Sequence, residues 1–81
     1  MQLKVYSLKK TLFEGEAKSV NCKTAVGEIT ILDHHKPLIS IVTAGAMKII
    51  DGQNKEHFID VASGIVKVAA NQATLLVEQT A

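Results

Sequence analysis

Nowhere along this chain do apolar residues recur with helical spacing for three full turns. They alternate with polar residues in short runs broken by turn-forming residues. Leu3, Val5 and Leu8 open the chain in near-alternation, and Val20 and Cys22 then alternate with Asn21 and Lys23. Ile29 and Ile31 do the same with Glu28 and Thr30. Further apolar runs follow at Leu38 to Val42, Ala46 to Ile50, Phe58 to Val61, Ile65 to Val68 and Leu75 to Val77. Turn signals stand between them at Glu14-Gly15, Gly27, the polar corner Asp33-His34-His35-Lys36-Pro37, Gly45, Asp51-Gly52, Ser63-Gly64 and Asn71. Val, Ile and Thr together supply 22 of the 81 residues, the side chains that fit a pleated, half-buried surface best. Short strands with turns roughly every eight to twelve residues predict an all-β sandwich or barrel.

Size and charge narrow the function classes. A chain of 81 residues makes one small domain, expected over 1–81, with no room for a cleft between two lobes. All nine basic residues are Lys, so the chain itself offers no bidentate guanidinium clamp for phosphate or carboxylate. Residues 1–27 hold five Lys and two Glu, and the remainder holds four Lys and six acids, leaving a net charge of +1. A balance this mild gives nucleic-acid binding little electrostatic footing, and no nucleic-acid partner is expected. Cys22 is alone, which excludes an internal disulfide and a Cys-based zinc cage and fits a reduced compartment. The opening residues, MQLKVYSLKK, carry no apolar run fit for a signal peptide, and no stretch has the length of a membrane span. A domain near this length buries only about 60% of its unfolded surface. With three aromatic rings and no disulfide, such a chain gains by covering one face with a partner.

Constellations that carry chemistry are sparse. Asp33-His34-His35 has metal-ligand residue types, yet no second acidic cluster accompanies it, and adjacent residues of an extended chain point to opposite faces. It reads as a polar corner before Pro37. Ala46-Met47-Lys48-Ile49 is similar to the attachment motif of biotin carrier domains, which makes a biotinyl carrier modified at Lys48 the alternative function. Lys48, however, lies inside a strand-like run, three residues before the Asp51-Gly52 tip. Cys22 has no neighbouring His to activate it, the hydroxyls of Ser7, Ser19, Ser40 and Ser63 have no base at recognisable spacing, and the glycines are scattered singly. The expectation is a non-catalytic protein without metal, cofactor or ATP site.

One stretch is more informative. Gly27-Glu28-Ile29-Thr30-Ile31-Leu32-Asp33-His34-His35-Lys36-Pro37-Leu38-Ile39-Ser40 resembles the signature of the epsilon subunit of F-type ATP synthase, in which G-E-x-x-I-L leads into a corner ending H-x-P-L. Thr11-Leu12-Phe13-Glu14-Gly15-Glu16, the strand after Gly45, Phe58 through Val68, and Asn71 to Val77 resemble the family's other segments in the right order. Thr30, Asp33, Ser63 and Lys67 depart from its usual residues at turn or surface positions.

The resemblance implies a flattened, two-layer antiparallel β-sandwich of about ten short strands. It implies a central-stalk (rotor) subunit of a proton- or sodium-translocating F-type ATP synthase. That subunit links gamma to the c-ring and couples ion flow to ATP synthesis, with no catalytic site of its own. Carried over by position, Ser7, His35 and Ser40 would lie on the gamma side, and Gly27 and Glu28 on the c-ring side. Contact with the membrane would come only through the complex, peripherally, at the cytoplasmic face of the bacterial inner (cell) membrane. Most family members continue into two C-terminal helices that inhibit hydrolysis, so the expectation is a form lacking that brake.

Overall fold

The computed structural model describes residues 1–79 and contains seven strands in that span: β1 (Gln2–Tyr6), β2 (Thr11–Thr24), β3 (Gly27–Leu32), β4 (Leu38–Val42), β5 (Gly45–Asp51), β6 (Glu56–Ala69) and β7 (Gln72–Gln79). They form one continuous hydrogen-bonded sheet in the order β1-β7-β6-β4-β2-β3. β5 bridges β2 and β6, and β1 also pairs with β2. All pairings are antiparallel except β1 with β7. The sheet is folded into two layers and the molecule measures 30 × 25 × 19 Å, its thinnest dimension matching two sheets about 10 Å apart with side chains outside.

The expected class holds, but the strand count is seven rather than about ten. Glu14-Gly15 and Ser63-Gly64, read from sequence as turns, lie inside the two 14-residue strands. Each long strand bends from one layer into the other. β2 pairs with β1 through Glu16 and then with β3 and β5, while β6 pairs with β5 through Val61 and then with β4 and β7. At each bend the register slips, between Ala17 and Ser19 in β2 and between Val61 and Ser63 in β6. The slip flips the alternation: in β6 the inward residue is Val61 before it and Val66 and Val68 after it. A bulge of this kind keeps apolar side chains on the core side as the strand turns the corner.

The core is built from alternate residues of every strand, among them Leu3, Val5, Val20, Ile31, Val42, Met47, Ile49, Val66 and Leu75. Register stacks them into rows, and Val5, Leu75 and Val66 lie side by side across β1, β7 and β6. The buried Thr24 hydroxyl donates to the Gly27 carbonyl at 2.7 Å and accepts from Val26 N–H at 3.3 Å, which closes the β2–β3 hairpin. Gly27 takes φ +122° there, a conformation that favours glycine.

The β6–β7 connection is a two-residue loop with positive φ at both Ala70 (51°) and Asn71 (56°), the signature of a type I′ turn. Asn tolerates this region readily, whereas Ala adopts it at a steric cost. Replacing Ala70 with Gly is expected to stabilise the protein by about 1 kcal/mol. The transition midpoint in a thermal melt should rise by about 4–8 °C.

Candidate functional site

Cross-strand register assembles a surface from residues scattered along the sequence. On the outer face of the layer formed by β1, β7, β6 and β4, Tyr6 pairs with Leu76, Leu76 with Ile65, and Ile65 with Ile41. Ile41 and Ile65 are more than half exposed, and Ile39 on the same face of β4 is 73% exposed. Tyr6 and Leu76 are half-buried, so the row joins two partly covered apolar side chains to two exposed ones across four strands. A contiguous patch of this kind marks an interaction surface. One end of the row opens into a groove of about 860 Å³, lined by Ser7, Leu8, Ile65, Leu76 and Glu78 among others, where Leu8 is 95% exposed. At the row's other end, Ala25 N–H in the β2–β3 hairpin donates to the Ile41 carbonyl at 3.0 Å.

The five candidate contact residues fall at different places on this frame. Ser7 sits in the β1–β2 connection, where its backbone N–H donates to the Lys10 carbonyl at 2.8 Å. Its hydroxyl accepts from Lys9 and Lys10 N–H, each at 3.2 Å. The loop is thereby held in a serine turn beside the groove. Gly27 and Glu28 stand just after the β2–β3 hairpin tip, next to Val26, which is 85% exposed. The Glu28 carboxylate accepts from Asn21 Nδ2 at 3.2 Å, and the same amide donates to Thr30 Oγ1 at 2.9 Å.

His35 lies in the β3–β4 corner, at the far end of β3 from Glu28. Its ring Nδ1–H donates to the Lys36 carbonyl at 2.7 Å and its backbone N–H to Leu32 at 3.2 Å. Two further ties fix this corner. His34, at φ 61°, donates its backbone N–H to Asn71 Oδ1 at 2.8 Å. The Asp33 carboxylate accepts from the Met1 ammonium, which also reaches Glu16 Oε1 at 2.9 Å and the Ala17 carbonyl at 3.0 Å. Burial alone would lower the pKa of this ammonium. The hydrogen bonds to Asp33 and Glu16 outweigh that and hold it above its usual value, while the same hydrogen bond holds Asp33 below its own.

Ser40 is in the middle of β4 with its side chain on the inner face, half-buried and opposite the fully buried Val66. Its neighbours Ile39 and Ile41 point outward. Ser7 and His35 are at opposite ends of the layer: β1 starts beside the Asn71 turn that holds the corner and runs five residues, about 16 Å, toward Ser7. Ser7, His35 and Ser40 are therefore not brought together into one cluster. The outward apolar row was missed in the sequence because its members come from four strands and become neighbours only through register.

The remaining titratable groups describe a scaffold. Cys22 is buried and its thiol is pushed up to about 11 by that burial, so it is inert as a nucleophile. Lys48 lies within β5, pairs across strands with Asn21 and Phe58, and forms an ion pair with Glu56 at 2.7 Å. It is not at a hairpin tip. Among the described residues no group of three or more His, Cys, Asp or Glu side chains is arranged to hold a metal ion.

Asp51 organises the β5–β6 hairpin. His57 Nε2–H donates to Oδ2 at 2.8 Å, and the backbone N–H groups of Gln53 and Lys55 donate to Oδ1 at 2.8 and 2.9 Å. The His57 bond first, then the backbone bonds, depress its pKa to about 2. A depressed carboxylate contributes stability above its unfolded value of about 3.9, and that contribution disappears as pH falls toward 2. Asp51→Asn is therefore expected to melt below the parent protein at neutral pH, with the gap closing between about pH 4 and pH 2 in a series of thermal melts. A gap independent of pH would show that the carboxylate's charge plays no part.

The comparisons with known proteins agree with this architecture. The family model for the ATP synthase Delta/Epsilon chain β-sandwich domain matches residues 1–81. The chain is 33% identical over 79 residues to the ATP synthase epsilon chain of Neisseria meningitidis, covering 96% of this chain and 56% of that protein. It is 38% identical over 78 residues to the epsilon chain of Bordetella petrii, with 96% and 55% coverage. This chain thus spans about half the length of the curated relatives it matches. Among solved structures, a chain in the central stalk/c-ring structure of the Tetrahymena thermophila mitochondrial ATP synthase superposes with a TM-score of 0.82 at 18% identity, covering 98% of this chain and 63% of that one. A chain of the Euglena gracilis mitochondrial ATP synthase gives 0.85 at 14%, with 93% and 48% coverage. These two likenesses concern the fold, which is shared throughout the sandwich. With the family model matched from the first residue to the last, the chain belongs to the ATP synthase Delta/Epsilon chain β-sandwich domain family.

Proposed function

We propose that this chain acts as a central-stalk subunit of a proton- or sodium-translocating F-type ATP synthase. In this reading it is a single domain over 1–81, has no catalytic site of its own, and links the gamma subunit to the c-ring so that ion flow is coupled to ATP synthesis. The observation that carries the reading, beyond family membership, is the apolar row from Tyr6 to Ile41, which ends beside the hairpin bearing Glu28. Gamma would cover this face, with Ser7 at its groove end and His35 and Ser40 at the corner and strand that border it. Gly27 and Glu28 would meet the polar loops of the c-ring. The exposed turn, with a carboxylate steadied by Asn21, suits a charged loop partner. Membership of the membrane-bound complex would place the chain peripherally at the cytoplasmic face of the bacterial cell membrane. No helix among the described residues is long and apolar enough to cross a membrane. The biotinyl-carrier alternative is disfavoured by the position of Lys48 inside β5.

The test is binding to the purified gamma subunit of the same enzyme. Ile65→Asp places a charge in the middle of the apolar row without entering the core, since Ile65 is 53% exposed. The variant should fold as the parent does by circular dichroism and lose gamma affinity by about a hundredfold or more, as a central interface residue does. Unchanged affinity would remove this face from the interface.

A further inference from the structure

Immediately beside the apolar row lies a second outward row, formed by Lys4, Thr74, Lys67 and Ile39 across β1, β7, β6 and β4. Each member is two residues along its strand from its apolar counterpart, about 7 Å away. Lys4 and Lys67 are exposed, and among the described residues neither belongs to an ion pair. Lys67 has Thr74 and Ile39 as cross-strand neighbours, and neither can neutralise it. Lys4 has Glu14 opposite on β2, yet its ammonium sits over the Tyr6 ring, 5.3 Å from the centroid and toward the apolar row. On the outer face of the other layer, Lys48 is paired with Glu56, and the Glu28 carboxylate accepts a hydrogen bond from Asn21. Positive charge without an ion-pair partner thus borders this apolar row on one side, and Glu78 on β7 borders it on the other.

From this we infer that Lys4 and Lys67 select the docking partner by pairing with carboxylates that flank an apolar strip on its surface. The inference rests on the docking reading above and goes further, to the chemistry of the partner. A surface that covers Tyr6, Leu76, Ile65 and Ile41 also covers the stems of two lysines whose backbones stand two strands, about 10 Å, apart, and strips water from their ammonium groups. Enclosing them without counter-charge would cost more than the apolar contact returns, so a tight partner must bring acidic groups to both. A second copy of this chain is a poor occupant, since it would bring the same lysines to the contact.

The experiment measures affinity for the purified gamma subunit by calorimetry at 50 and 500 mM KCl. It compares the parent chain, Lys4→Glu/Lys67→Glu, Lys4→Gln/Lys67→Gln and Ile65→Asp. The double reversal should bind at least about tenfold more weakly at low salt, and the double Gln variant should lose most of the parent's salt dependence. If Ile65→Asp loses binding while the double reversal matches the parent, the lysines are bystanders and the inference falls with the docking face intact. If Ile65→Asp binds normally, the docking reading falls and the inference with it. Sedimentation showing a dimer broken by Ile65→Asp would overturn it in favour of self-association. Lysine-dependent binding to phosphatidylglycerol vesicles without binding to gamma would overturn it in favour of a lipid surface.

Discussion

Gly64→Ala is expected to destabilise this protein by about 3 kcal/mol, at the upper end of overpacking costs. Gly64 lies in the middle of β6, paired with Val77 on one side and Val42 on the other. A methyl group there would meet the Leu76 carbonyl oxygen at 2.5 Å and the Val77 Cα at 3.0 Å. Both obstacles are backbone, so neither can swing away, and β6 and β7 would have to separate. They lie where β6 has just slipped register, and a local opening would pull on the bend as well. A domain of this size has a total stability of about 4–12 kcal/mol, so the substitution takes a large share of it. The thermal midpoint should fall by about 12–24 °C. An unchanged midpoint in urea would mean that the strand pair has slack the structure does not display. Gly15 and Gly27 differ, since a methyl group there meets nothing within 4 Å and positive φ is the constraint.

The second large effect is expected at Leu75. Its side chain is fully buried and stands between Val5 on β1 and Val66 on β6, in the central row of the core. Leu75→Ala removes the widest member of that row, and its rigid β-branched neighbours cannot reach across the gap. The expected loss is about 3–4 kcal/mol, combining lost transfer energy with the cavity left behind. Denaturant unfolding should show a lower midpoint with an unchanged slope, because the surface exposed on unfolding is nearly the same. Ser40 closes this same row at the β4 edge. Ser40→Val supplies a control that distinguishes packing from contact. It should leave stability unchanged or slightly raised, so a loss of binding to gamma by that variant would report on the proposed interface and not on packing.

Much of the fold can be read from alternation and turn residues. Asp51-Gly52, Gly27 and Asn71 do mark hairpins, and Val20, Cys22, Ile31 and Ile49 do point inward. The misreading at Ser63-Gly64 has a physical cause. A bulge in a bent strand breaks the alternation just as a turn does, so Ser63-Gly64 looks like punctuation although the chain runs straight through it in hydrogen-bonding terms. A glycine that permits close strand approach cannot be told, in sequence, from one that permits a turn. The candidate site is less legible. Glu28 is exposed near the hairpin tip as its sequence suggests, but Ser40 points into the sandwich, and the row of Tyr6, Leu76, Ile65 and Ile41 has no local signature. Such a surface is encoded in register, which depends on every turn length between its members. The Asp51 network is hidden for a similar reason, because His57 reaches the carboxylate only after the hairpin has closed.

The two bent strands also decide how the molecule bears load. In a sandwich whose layers meet only through side chains, a shearing force is resisted by packing alone, and the layers can creep. Here β2 and β6 each pass from one layer to the other without a loop, so the covalent backbone itself crosses the seam twice, at Ala17–Ser19 and at Val61–Ser63. Sliding one layer over the other would require stretching two main chains and breaking the ladders of both. The seam behaves like a welded corner rather than a greased joint, which would suit the proposed stalk role, in which the domain turns as one body with its partner.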